Sequence, residues 1–230
     1  MRAVTRPFEE IEILPRETRR GEGLLPWRMA PVVKAAEEML PEEIPAITKE
    51  LWELFFTTGE RKRFDDAYIR RRDMLLTLTL AEAHENRGRF TEKLLAVLRA
   101  ITEEPTWILA AHLEANSDYR AAEGLPPHLA PGRAHGLDIM AGATGACVAT
   151  AYYYLGDAIR SADAGLYEAL RIAFRKRIID PFLVSQAHWT GPNGRRVNNW
   201  CPWIVTNTLF VAAIAEEDDD KREEVVARAM

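Results

Sequence analysis

Cysteine is scarce in this sequence, with Cys147 and Cys201 the only two in 230 residues, and two thiols are too few for a disulfide scaffold. A basic excess is also missing, because the formal net charge is −5, so we expect no nucleic-acid partner. No apolar run approaches the length of a membrane span, and the N-terminus lacks the apolar core of a signal peptide. We therefore expect no membrane partner. The simplest location is the cytoplasm, or a secreted or periplasmic one if the first methionine is not the native start.

Strand-like alternation of apolar and polar residues is absent over any useful length, whereas helical spacing recurs along the chain. Phe90, Leu94, Leu98 and Ile101, for example, fall on one face of a helix. We predict an all-α fold, with residues 1–26 as an irregular arm and residues 27–230 as one domain of antiparallel helix hairpins.

Two connections between predicted helices are rich in residues that serve functional sites. Residues 105–136 form a connection that is long for a compact domain and includes Trp107 and His112; such long loops are usually functional or disordered. Residues 181–197 include His188 and Trp189. We predict that the two connections lie at the same end of the helical array.

The segment "VNNWCPWIVTN" opens a predicted helix, because Pro202 is tolerated only in its first turn. Asn198 or Asn199 is then the helix cap, and Asn199, Trp203 and Asn207 fall on one face. A helix N-terminus favours anions, an amide can bind a carboxylate, and an indole can stack on a sugar. The simpler alternative is that the asparagine caps the helix and the tryptophan packs.

Charged and metal-binding patterns are weaker. Arg195 and Arg196 lie beside the asparagine pair and could bind a carboxylate or sulfate, whereas the basic runs "IRRRD" and "FRKRIID" are interpreted as solvated helix faces. His112, His128, His135 and Asp138 match no metal-binding spacing, so we expect neither a metal nor a cofactor.

Several segments, taken in order, resemble the heparinase II/III-like family of polysaccharide lyases. They are "AEAHENRGRFTEKLLAVLRAITEEPTWILAAH", "LDIMAGATGACVATAYYYLGD", "RIAFRKRIIDPFL" and "VNNWCPWIVTNTLFVAAIAEEDDDKREEVVARAM". The resemblance runs from about the third helix to the end of the chain. It implies an incomplete α/α toroid, followed in whole family members by a β-sandwich domain.

The family's activity is cleavage of acidic polysaccharides by β-elimination. An asparagine neutralises the uronate carboxyl group, which stabilises the enolate formed when the C5 proton leaves, and a tyrosine, often with a histidine, serves as base and acid. Asn198 and Asn199 match the asparagine pair, and the helical-face argument selects Asn199 as the substrate-facing member. Trp200, Trp203 and His112 match the family's aromatic and histidine positions.

The sequence also departs from the family pattern. The family's tyrosine lies downstream of the Asn-Asn-Trp segment, and no position here matches it, so we expect these 230 residues to be inactive alone. The candidate catalytic residues are therefore Asn199 and Asn198. The candidate binding residues for an acidic polysaccharide or oligosaccharide are Trp200, Trp203, Trp107, His112, His188, Trp189, Arg195, Arg196 and Asn207.

Two alternative functions remain at this point. An α/α-toroid glycoside hydrolase would need two carboxylates flanking the bond, for which Glu114, Asp118 and Asp138 are candidates. A non-catalytic helical module could bind a glycan or a protein. A partial toroid would also expose apolar helix edges, through which the chain could associate with itself.

Overall fold

The computed structural model describes residues 26–113, 136–185, 189 and 198–230, and helices dominate this part of the chain. The helices are α1 (Pro26–Met39), α2 (Lys49–Thr58), α3 (Lys62–Glu85), α4 (Thr91–Thr102), α5 (Ala110–Leu113), α6 (Ile139–Ala162), α7 (Ala164–Phe174), a π-helical turn (Arg175–Ile179), α8 (Asp180–Val184), α9 (Trp200–Ala215) and α10 (Asp219–Ala229). No strand occurs over these ranges, which confirms the all-α class. The predicted arm lies outside the described residues except for Pro26, the first residue of α1.

Local signals set most helix ends. Thr48 caps α2, since its hydroxyl accepts a hydrogen bond from Leu51 N at 3.2 Å. Gly59 ends α2 in the left-handed conformation. Asn86 takes the same conformation at the end of α3, two residues before Gly88. None of the described helices has the length and apolar character needed to cross a membrane.

Helices α3 and α6 form the middle of the fold and pack against each other. Helices α1 and α4 lie against α3, whereas α7 and α9 lie against α6. The core between them is apolar and aromatic, and its largest fully buried side chains include those of Tyr68, Phe90, Trp107, Phe174, Phe182 and Trp189.

Close contact between α6 and α9 depends on small residues of α6. An added Cβ at Gly142 would lie 3.7 Å from the Ile204 backbone, and one at Gly145 would lie 3.3 Å from Val211. Later positions of α6 therefore face later positions of α9, so the two helices run in the same direction. Both glycines thus permit close packing of the two helices, and the arrangement brings the N-termini of α6 and α9 to the same end.

The basic run "IRRRD" is not the solvated face that the sequence suggested. Arg71 and Arg72 are buried, because both donate to the buried carboxylate of Glu104. Arg177 of the second basic run is half-buried, and its guanidinium lies 5.0 Å from the Trp107 ring centroid. Both runs therefore contribute to a polar cluster within the helical array.

Candidate functional site

The start of α9 presents one asparagine to the backbone and the other to solvent. Asn198 Oδ1 accepts a hydrogen bond from Trp200 N at 2.9 Å, so its side chain caps the helix. Asn199 is exposed and makes no capping hydrogen bond with its side chain. Asn198 is therefore the helix cap, as the helical face predicted, and the contact of Asn199 with substrate stays a prediction.

The predicted face of α9 continues with Trp203 and Asn207. Trp203 is 61% exposed, so its indole is accessible to a ligand. Asn207 is half-buried, and its Nδ2 would lie 3.7 Å from a Cβ added at Gly142. Asn199 and Trp203 are therefore the open part of the face, and Asn207 lies where α9 meets α6.

His112 is held by Asp138, the residue that caps α6. The His112 Nδ1 atom lies 2.7 Å from Asp138 Oδ2. Asp138 is fully buried, and its carboxylate also accepts hydrogen bonds from Ala141 N at 2.6 Å and Leu109 N at 3.3 Å. The carboxylate thus joins the 109–112 segment to the first turn of α6 and fixes the histidine ring between them.

The same imidazole contacts the start of α9. The ring centroids of His112 and Trp200 are 4.6 Å apart, with an angle of 47° between the ring planes. The second connection also reaches α6, because Trp189 Nε1 donates to Leu137 O at 3.1 Å. The described residues of the two connections therefore lie at the same end of the array, as predicted.

Trp107 and Trp189, both predicted to bind substrate, belong to the core. Trp107 is 1% exposed and donates from Nε1 to Ile101 O at 2.9 Å. Trp189 is 2% exposed and stacks on Phe182, with ring centroids 6.2 Å apart. This placement does not fit a substrate-binding role, because each indole has its faces covered by protein and its N–H group bonded to a backbone carbonyl.

Three predicted binding residues, His188, Arg195 and Arg196, lie outside the described residues. The same holds for His128 and His135, which were weighed as metal ligands, and for Glu114 and Asp118, which were weighed as acids. His112 and Asp138 from that set do meet, through the hydrogen bond given above. No group of three potential His, Cys, Asp or Glu ligands occurs in the described part of the chain.

The electrostatic field at this end of the array differs between the N-termini of α6 and α9. The N-terminus of α6 is occupied by the buried carboxylate of Asp138. The first turn of α9 carries no acidic residue, so its partial positive charge is not met by an acid of its own. Its N–H groups are paired within the turn, because Trp200 N donates to Asn198 Oδ1 and Cys201 N donates to Asn198 O. The exposed Asn199 amide stands at this open end.

Asp138 is the member of the site whose role sequence reasoning missed. It was weighed as a metal ligand or hydrolase acid, although its position just before an apolar helix is typical of a cap. Its contact with His112 joins residues 26 positions apart, which no local pattern reveals. Comparison with known protein families and with curated proteins finds no match to this chain.

Proposed function

We propose that these helices are the N-terminal, partial α/α-toroid part of a polysaccharide lyase that cleaves uronate-containing polymers by β-elimination. In this proposal Asn199 binds the uronate carboxyl group, and the Trp203 indole packs on a sugar ring. The single observation that carries the proposal is the exposure of Asn199 and Trp203 on the first turns of α9, close to the His112–Trp200 contact.

Asn199 contributes to the reaction by electrostatic stabilisation. Its amide N–H group donates to the carboxylate and stabilises the charge that moves onto the carboxyl group when the C5 proton leaves. The open N-terminus of α9 favours the same negative charge. No tyrosine follows Asn199 in the 230 residues, so the proposal for these residues is binding without useful turnover, since acid and base groups each contribute about 10²–10⁴-fold in rate.

The glycoside hydrolase alternative receives less support from the site. It requires two carboxyl groups that face the substrate. Asp138 is fully buried and bonded to His112 and two backbone N–H groups, so it is not open to a glycosidic oxygen.

The test compares Asn199→Asp with the wild type. Aspartate has the size of asparagine, and residue 199 is exposed and makes no capping hydrogen bond with its side chain, so folding is retained, but the new carboxylate repels a uronate. We expect calorimetric titration to show at least a 10-fold loss of affinity for heparan-derived and alginate tetrasaccharides, and little change for the same oligomers after carboxyl reduction.

Two outcomes would overturn the proposal. One is equal binding of acidic and carboxyl-reduced oligomers by the wild-type chain. The other is unchanged uronate binding by a folded Asn199→Asp variant, which would leave Asn199 as an ordinary residue of the helix start. Ultraviolet absorbance for unsaturated products, recorded in parallel, tests the expected lack of turnover.

A further inference from the structure

The carboxylate of Asp138 acts only as a hydrogen-bond acceptor toward the backbone. Its Oδ1 accepts from Ala141 N at 2.6 Å and its Oδ2 accepts from Leu109 N at 3.3 Å. Both oxygens thus act as acceptors, and an acceptor carboxylate has no hydrogen to donate. The third contact, 2.7 Å between Oδ2 and His112 Nδ1, is therefore donated by the imidazole.

This donation determines which nitrogen of His112 is left for a ligand. A neutral imidazole has one N–H group and one lone pair, and the hydrogen bond at one nitrogen fixes the identity of the other. With the hydrogen on Nδ1, the Nε2 atom carries the lone pair. Within the described ranges, no residue donates to Nε2, and the His112 side chain is 17% exposed.

The imidazole ring packs beside an aromatic ring. Trp200 lies 4.6 Å from the imidazole between ring centroids and follows Asn199 directly in the chain. The site therefore combines a donor amide, an acceptor nitrogen and an indole. A carboxylate cannot bond to the Nε2 lone pair because both are acceptors, whereas a hydroxyl group can donate to it.

We infer that His112 is the hydroxyl-binding residue of this site: its Nε2 atom accepts a hydrogen bond from a sugar hydroxyl, while Asn199 takes the carboxylate. The inference rests on the proposed function, because it divides the groups of one uronate residue between two side chains. It makes His112 a contributor to sugar affinity and Asn199 the source of acid preference.

A pair of substitutions separates the two nitrogens of the ring. His112→Asn places an amide N–H group near the position of Nδ1, which keeps the bond to Asp138 but removes the acceptor at Nε2. His112→Gln extends an amide to the position of Nε2, which keeps an acceptor there but gives up the bond to Asp138. Circular dichroism and thermal unfolding establish that both variants are folded.

Binding is measured on the full chain with alginate and heparan-derived tetrasaccharides and with their carboxyl-reduced forms. We expect His112→Asn to weaken the binding of acidic and of carboxyl-reduced oligomers by the same factor, roughly 3- to 10-fold for one hydrogen bond. The preference for acidic oligomers is then unchanged. His112→Gln should lose less. Weaker binding of the acidic oligomers alone, with binding of the carboxyl-reduced oligomers unaffected, would overturn the inference and make His112 a carboxylate ligand.

A second measurement needs no ligand. In the full chain labelled with ¹⁵N-histidine, at a mildly alkaline pH where imidazole is neutral, we expect His112 Nδ1 to show the shift of a protonated nitrogen and Nε2 that of an unprotonated one. The spectrum of His112→Asn assigns the signals. The opposite tautomer would overturn the inference while leaving the proposed function intact. Equal wild-type binding of acidic and reduced oligomers would instead remove the proposed function, and this inference with it.

Discussion

The guanidinium of Arg72 and the carboxylate of Glu104 form a two-point ion pair inside the helical core. Arg72 Nη1 lies 2.7 Å from Glu104 Oε1, and Nη2 donates to Oε2. The same guanidinium lies 3.4 Å from the ring centroid of Tyr68, whose hydroxyl lies 2.5 Å from Trp107 O. Because Arg71 Nη1 also donates to Glu104 at 2.9 Å, one buried carboxylate holds two buried cations beneath the segment that leads to His112.

Glu104→Gln should destabilise the fold strongly, because it leaves both guanidinium groups buried without a counter-charge. We expect the free energy of unfolding to fall by about 3–5 kcal/mol, the usual cost of breaking a buried ion pair. The measurement is urea unfolding followed by circular dichroism. The matched control is Glu103→Gln, an exposed neighbour for which we expect a change within about 0.5 kcal/mol. Equal effects of the two changes would contradict the buried pair.

Two glycines of α6 should respond in opposite ways to alanine. A Cβ at Gly145 would lie 2.8 Å from Ile178 Cγ1 and Cδ1, whereas one at Gly156 meets nothing closer than 3.8 Å. Gly145→Ala should lower the free energy of unfolding by about 1–3 kcal/mol through overpacking. Gly156→Ala should raise it by up to about 1 kcal/mol through helix propensity. Thermal unfolding of both variants checks this, and a stabilised Gly145→Ala would show that Ile178 lies farther from α6 than described.

Cys147 should make stability depend on alkaline pH. Burial raises the pKa of its thiol from 9.0 to about 11, against the opposing effect of the nearby Arg72 charge. The unfolded chain therefore releases this proton first, so the stabilisation is complete below pH 9 and is lost as pH rises to 11. This rise in the thiol pKa corresponds to at most about 3 kcal/mol of unfolding free energy.

The control for this pH dependence is Cys147→Ala. The unfolding free energies of the two proteins should run parallel below pH 9. Between pH 9 and 11 the unfolding free energy of the wild type should fall more steeply. Other groups that titrate in this range are common to both proteins and cancel in the difference. Parallel curves up to pH 11 would show that Cys147 is not held as a neutral thiol.

Alanine substitutions of Trp203 and Trp107 should separate an effect on binding from an effect on stability. Trp203→Ala removes an exposed ring, so we expect a stability change within about 0.5 kcal/mol and weaker binding of the uronate tetrasaccharides. Trp107→Ala empties a core position and should cost about 3–5 kcal/mol. Thermal unfolding and oligosaccharide titration check both. Unchanged binding by Trp203→Ala would remove that indole from the site.

Charged residues show where sequence reasoning failed. Arg71 and Arg72 lie in a run of charges that suggested solvent, yet both are buried, because their partner Glu104 comes from a segment 32 or more residues away. Glu82, near the end of α3, is a second example of a charge that local pattern would place at the surface. It is buried, and its carboxylate accepts hydrogen bonds from Gly88 N at 2.6 Å and Phe90 N at 2.9 Å. Whether a charge is buried depends on its partner, which local pattern does not contain.

The sequence by itself determined the all-α class and many of the helix limits in the described residues. These features depend on neighbours within about four positions: the spacing of apolar residues, caps such as Thr48 and stops such as Gly59. The position of Asn198 as the cap and of Asn199 as an exposed residue followed for the same reason, since both are properties of one helix start.

Only the tertiary structure decided which aromatic and ionisable side chains meet. Trp107 and Trp203 look alike in sequence, but one is covered by distant segments and the other remains open. The bond between His112 and Asp138 and the contact between His112 and Trp200 join three separate segments. Such contacts arise where α6 and α9 start at the same end of the array, and that arrangement is set by the packing of α9 against α6 at positions such as Gly142 and Gly145.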